Sequence, residues 1–221
     1  MLPHPGLCDL APLLLAREIV HYRPSVVIMN GVATGKTHIP LRIELGSANT
    51  ALAGRPDGSG LLTAEPLSEG ASETTLFQSA PSVLPSYFPW RAARAAAHLA
   101  IAREQHAGTL SRAMAGVEFG RFPSEWLTYL CNNLVYVTNA WLDDPRDFRL
   151  LESSSSADEG IALPPRPHGH PILRTFIHWP DLPKSDHAAG ARVLLAIAYA
   201  TLRSRGDDEG PTLGDPANAD S

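Results

Sequence analysis

Two stretches rich in large apolar residues constrain the fold of this chain more than any other feature. "VVIMN" at 26–30 and "ILRTFIHWP" at 172–180 lack the alternation of a strand with one wet face, so each reads as a strand buried on both sides. "CDLAPLLLAREIVHY", patterned as a helix, precedes the first run, and "SDHAAGARVLLAIAYATLRSR", also helical, follows the second. Helices beside doubly buried strands make an α/β layer arrangement. Ser185 and Asp186 are the cap candidates for the last helix.

Between these ends the pattern is mixed. Gly31 and Gly35 punctuate a turn after the first strand. "HIPLRIELGSA" alternates as a strand, with Ile39, Leu41, Ile43 and Leu45 on one face and Arg42 and Glu44 on the other. "LAGRPDGSGLLTAEPLSEGASE" reads as loop. "TTLFQSAPSVLPSYFP" and "GVEFGRFPSEW" each hold a short strand. "WRAARAAAHLAIAREQHAG" is an Ala-rich helix closed by Gly108. A further helix starts near residue 129, with Leu130, Leu134, Val137 and Trp141 at helical spacing and Pro145 ending it.

The chain has 221 residues, 44% of them hydrophobic, which suits one medium-sized domain with a full core. That domain is expected over 1–205, followed by a disordered acidic tail at 206–221. "LESSSSADEGIALPPRPHGHP" reads as an exposed surface insertion. A formal net charge of -5 gives no electrostatic case for nucleic acid or an anionic membrane as partner. Cys8 and Cys131 alone do not make a disulfide scaffold, so a reducing cytoplasm is the simpler setting. Arg17 and Glu18 break the only apolar N-terminal stretch, so no signal peptide is expected, and no run spans a bilayer.

The chemistry centres on "TYLCNNLVY". Cys131 is either a small buried hydrophobe or a nucleophile at a helix start. A helix N-terminus stabilises a thiolate through its unpaired backbone N–H groups and its macrodipole, and the same groups can hold an oxyanion. A nucleophile of this kind needs a base and an acid that orients the base. His178 ends an apolar strand, where reacting groups gather in open α/β sheets. Glu44 is an isolated carboxylate in an apolar strand, costly unless paired. Each also has a plainer reading: a satisfied strand-end histidine, and a glutamate on a solvent-facing strand side. His168, His170, His178 and Asp181 offer a metal-binding alternative, but their spacing matches no zinc signature, so no metal is expected.

"YLCNNLVY" and "FIHWPDLP" together resemble two signatures of the pyroglutamyl peptidase I family, the pyrrolidone-carboxylate peptidases. "VVIMNGVATGKTHIPLRIELGSAN" is similar to a third, its glycine turn and Glu-to-Asn segment, with Glu44 and Asn49 keeping the spacing. The resemblance covers roughly residues 10 to 205. It implies a phosphorylase/hydrolase-like three-layer α/β/α sandwich with a mixed, mainly parallel sheet. It implies catalytic Cys131, His178 and Glu44, with no cofactor and no metal. The implied activity is cleavage of an N-terminal pyroglutamyl or related amide bond through an acyl-enzyme.

The match has gaps. The family's G-F-x-P-F-G-G loop, whose aromatics cover the lactam ring, has no counterpart here. Lys36 replaces an arginine, and residues about 81–116 and 150–170 appear as insertions. The stretch from the glycine turn to the glutamate is two residues long beyond the pattern, so without a gap Arg42 would take the acid's position. Tyr129, Leu130 and Val32 remain as substrate-binding candidates, with Trp90, Phe119 and Trp126 as further aromatics whose plainer role is packing. The expected partner is a small peptide or amide, and a homo-oligomer is compatible with the same pattern. The expectations are a Cys131 thiol of depressed pKa, more reactive than Cys8, and weak turnover of a pyroglutamyl arylamide. The alternative is a non-catalytic or substrate-shifted relative that binds a ligand or partner.

Overall fold

The computed structural model describes residues 7–33, 39–53, 72–75, 81–112, 114–120, 130–143 and 172–204. Of the loop expected over 52–73, the two ends belong to strands, Thr50–Ala53 and Ser72–Thr75, and 54–71 lies outside the described residues, as do the insertion at 150–170, the tail at 206–221, Gly35, Lys36, Trp126 and Tyr129. Helices are α1 (Leu7–Tyr22), α2 (Trp90–His106), α3 (Leu130–Asp143) and α4 (His187–Arg203). Strands are β1 (Val26–Ala33), β2 (Leu41–Glu44), β3 (Gly46–Ala48), β4 (Thr50–Ala53), β5 (Ser72–Thr75), β6 (Val83–Pro85), β7 (Val117–Gly120) and β8 (Leu173–Pro180). The chain forms two compact units, each drawing on three separate stretches of sequence.

One unit comprises Ser25–Leu45, Pro85–Phe122 and Ile172–Ser221 and holds a four-stranded sheet of order β1-β8-β2-β7. β1 runs parallel to β8, β2 parallel to β7, and β2 antiparallel to β8, so the sheet is mixed and mainly parallel. The α/β class expected from the apolar runs is the class observed. Every residue of β8 is buried, as befits an inner strand, including its polar Arg174, Thr175 and His178.

Helix α2 buries Ala93, Ala97, Ala100 and Ile101, a stripe at helical spacing, against a cluster that includes Ala189, Val193 and Ile197 of α4. Alanine there lets the two helix backbones approach closely. Leu41, Ile43 and Ile177 are fully buried in the same cluster, each side chain contributing about 1.5–3 kcal/mol of apolar burial. The stretch at 81–116 is thus part of the core, carrying Phe88 and the buried face of α2. Gly108 follows α2 at φ +70°, the left-handed conformation expected of a glycine that closes a helix.

Glu104 joins α2 to α4. Arg192 Nη2 donates to it at 2.6 Å, with Thr109 Oγ1 at 2.7 Å and Arg103 at 3.0 Å. The Arg192 hydrogen bond, ahead of that from Thr109, holds its carboxyl down at about 2.

The other unit comprises Met1–Pro24, Gly46–Leu84 and Pro123–Pro171. In it α3 packs on α1 and on the small strands β3 and β4. β3 pairs with β6, and β4 with β5. Val135, Tyr136, Val137, Ala140 and Trp141 of α3 are buried, with Ala16 and Ile19 of α1.

Three local expectations need correcting. Gly31 is not in a turn: β1 continues through it to Ala33, because parallel pairing with β8 extends to Pro180. The Arg42/Glu44 side of β2 is not a solvent face, since β2 lies between β8 and β7 and Glu44 is 0% exposed. Asp186 occupies the N-cap position of α4, but neither it nor Ser185 caps the helix by a side-chain hydrogen bond. Its carboxylate instead accepts the Ser111 backbone N–H at 2.7 Å and the Ser185 hydroxyl at 2.8 Å. These bonds, the Ser111 contribution first, hold its pKa below the usual carboxylate value.

Candidate active site

The sheet of the larger-stranded unit brings Glu44 and His178 together. In the antiparallel β2/β8 ladder His178 lies opposite Arg42, and Glu44 lies opposite Phe176. Glu44 and His178 are therefore diagonal neighbours on one face, a separation that a long side chain can cross. Glu44 Oε1 meets His178 Nδ1 at 2.7 Å. Both groups are buried, Glu44 at 0% and His178 at 4% exposure. Thr175 Oγ1 donates to the Glu44 carbonyl at 2.9 Å and so fixes the backbone that carries the carboxylate. The Phe176 ring packs on the imidazole, with centroids 4.6 Å apart.

The direction of this hydrogen bond follows from the tautomer of the imidazole and the charge of the carboxylate. An ionised carboxylate only accepts hydrogen bonds, so Nδ1 carries a proton. In the neutral ring Nε2 is then the basic nitrogen. Arg42 does not occupy the acid's position. It pairs in register with Glu118 of β7, and its guanidinium meets Glu118 Oε1 at 2.6 Å.

Cys131 belongs to the other unit, as the second residue of α3. It is half-buried and forms no disulfide. The macrodipole of a helix favours an anion near its N-terminus. Asn132, fully buried, anchors this turn. Its Nδ2 donates to the Ala48 carbonyl and its Oδ1 accepts the Ala48 N–H, both at 2.8 Å, imitating a β-bridge to β3. Sequence reasoning assigned Asn132 no role. The available signal was an amide in an apolar run, which must find partners once buried. Tyr136, one turn further on, donates to the Pro81 carbonyl, and burial raises its pKa.

The remaining candidates divide as follows. Val32 lies within β1 rather than in a turn, in register with Trp179. Alternation puts it on the sheet face away from His178, and it is 58% exposed, so it does not line the imidazole. Leu130 begins α3, but its side chain lies outside the described residues, as do those of Tyr129 and Cys8. Trp90 and Phe119 pack edge-to-face at 4.9 Å, the plainer of their two readings. His168 and His170 are outside the described residues, among which no group of three or more His, Cys, Asp or Glu side chains could hold a metal ion.

An α/β fold with a mixed, mainly parallel sheet and a buried carboxylate–imidazole pair is the class this chain defines. Solved peptidase structures share the fold. Pyrrolidone carboxyl peptidase from Thermococcus litoralis matches with a TM-score of 0.57 and 17% identity, over 94% of this chain and 79% of that one. Pyroglutamyl peptidase I from Bacillus amyloliquefaciens matches with a TM-score of 0.54 and 17% identity, over 86% of this chain and 71% of that one. A mutant pyrrolidone carboxyl peptidase from Pyrococcus furiosus gives 0.54 and 14%, over 87% and 76%. No protein-family model matches the sequence, and no curated protein matches it.

Proposed function

We propose that this chain is a cysteine hydrolase that cleaves an N-terminal pyroglutamyl or related amide bond through a thioester acyl-enzyme. The observation that carries the reading is the buried 2.7 Å contact between Glu44 and His178 near the carboxyl end of β8. A carboxylate that holds one imidazole nitrogen frees the other to act as a base. The fold shared with the peptidase structures supports the same reading, and so does the place of Cys131 in the first turn of α3.

In this reading Cys131 is the nucleophile, His178 the general base and Glu44 the orienting acid. His178 Nε2 takes the Cys131 Sγ proton, and the thiolate attacks the scissile carbonyl carbon. Backbone N–H groups of the first turn of α3 hold the oxyanion. Collapse forms the thioester and breaks the C–N bond, while the imidazolium gives its proton to the departing amine. His178 then deprotonates water, which attacks the thioester, and release of the acid restores the thiol. Tyr129 and Leu130 contribute the substrate wall next to the nucleophile. No metal or cofactor enters these steps. A reducing cytoplasm would keep the thiol available.

The test is turnover of pyroglutamyl and other N-terminal lactam or acyl arylamides by the purified chain. Turnover should disappear in Cys131→Ala and in His178→Ala. Turnover that survives Cys131→Ala refutes the nucleophile. A Cys131 that resists iodoacetamide near neutral pH, with every amide left intact, favours a non-catalytic relative that binds a ligand or partner.

A further inference from the structure

The Glu44–His178 contact depends on a residue that touches no imidazole atom. Gly120 is the last residue of β7 and the register partner of Glu44 in the parallel β2/β7 ladder. A Cβ built on Gly120 would stand 1.6 Å from Glu44 Oε2, 2.4 Å from Cδ and 3.0 Å from Oε1. The whole carboxylate head thus lies over the Gly120 backbone, in the space that any other residue would fill. Gly120 does not need to be glycine for a left-handed φ; the requirement is the close approach.

Glu44 Oε2 is buried and has no hydrogen-bond partner among the described residues. Among these residues the orientation of the carboxylate therefore rests on its contact with His178 through Oε1 and on the steric seat at Gly120. The clashing atoms are the end of a side chain, so a methyl group at position 120 can be accommodated by moving the carboxylate. Restoring a 3.0 Å separation from 1.6 Å requires a shift of about 1.4 Å, half the length of the 2.7 Å bond to His178.

We infer that Gly120 is a positioning residue: it seats the Glu44 carboxylate so that Oε1 reaches His178 Nδ1 and keeps Nε2 as the base. This deepens the hydrolase reading and rests on it for its functional meaning, but the seating itself is testable without activity.

The experiment is a double-mutant cycle of Gly120→Ala with Glu44→Ala, and again with Glu44→Asp. It is read by the thermal unfolding midpoint and by ¹⁵N imidazole spectra of His178. Gly120→Ala should lower the midpoint by roughly 5 °C or more and remove the signature of an Nδ1–H bonded to a carboxylate. In the Glu44→Ala background, where the methyl group has room, the added drop should shrink to about 1 °C. Should Gly120→Ala alone fail to fold, the double variant is expected to fold. Additive losses in both backgrounds, or a Gly120→Ala protein with midpoint and Nδ1–H signature unchanged, overturns the inference. Absence of amide turnover in the unmodified chain would sink the hydrolase reading and leave this result standing.

Discussion

Replacing Glu44 by glutamine tests the candidate site with the least change of shape. The variant keeps an acceptor for His178 Nδ1–H and removes the charge. In the buried pair a carboxylate and an imidazolium with centres ~4 Å apart attract by about 4 kcal/mol at an effective dielectric near 20. The glutamine dipole restores part of this, leaving a net loss of about 2–3 kcal/mol for any state in which His178 is protonated. At 1.36 kcal/mol per factor of ten, that is roughly a 30- to 150-fold fall in the population of a thiolate–imidazolium pair. The assay is the second-order rate of Cys131 alkylation by iodoacetamide at pH 7, followed by peptide mass. Folding suffers as well. The new amide nitrogen takes the buried position of Oε2, which has no hydrogen-bond partner among the described residues, at a cost of about 1–3 kcal/mol. Glu44→Asp separates charge from reach: it keeps the charge but falls one methylene short of the diagonal to His178, and should be destabilised more than Glu44→Gln. A folded Glu44→Gln protein that alkylates at the unmodified rate would refute the role proposed for Glu44 in the hydrolase.

Three further outcomes are expected. Asn132→Ala should lower stability by about 1–3 kcal/mol in denaturant unfolding, because it strips both hydrogen bonds from the partly buried Ala48 backbone. Arg42→Gln should change stability by less than about 1 kcal/mol and alkylation hardly at all, since its partner Glu118 is partly exposed; a large loss of alkylation would restore Arg42 to the site. Glu104→Gln should flatten the acid side of the stability–pH curve. The folded-state pKa of Glu104, about 2, lies below its ordinary 4.5, so its contribution is present above 4.5 and lost as pH falls from there towards 2. Acid unfolding curves that superimpose for the two proteins between those values would contradict this.

What the sequence disclosed and what it concealed differ by the range of the interactions involved. The strands "VVIMN" and "ILRTFIHWP", the Ala-rich α2 and the start of α3 near Cys131 are written in periodicity over neighbouring residues, and each element is found where expected, although only β8 is buried along its whole length; β1, at the end of the sheet order, alternates between buried and more exposed residues. The alternation of Leu41 and Ile43 with Arg42 and Glu44 also showed correctly that β2 has two chemical faces. It could not show that Glu44 on the second face is buried. That depends on His178, 134 positions away, while Arg42 two residues earlier pairs with the partly exposed Glu118, 76 positions away. For the same reason Asp186 looked like a helix cap. Only the fold brings the Ser111 N–H to its carboxylate.

The choice between Arg42 and Glu44 was likewise beyond any count of spacings from the glycine turn. Even the strand register, taken residue for residue, points to the wrong one, because Arg42 is the residue directly opposite His178. The geometry of the ladder reverses that choice. Arg42 turns across the strand to Glu118 on β7. Glu44, one pair further along the same face, has the length to reach back diagonally to Nδ1, and Gly120 leaves its carboxylate the room to do so.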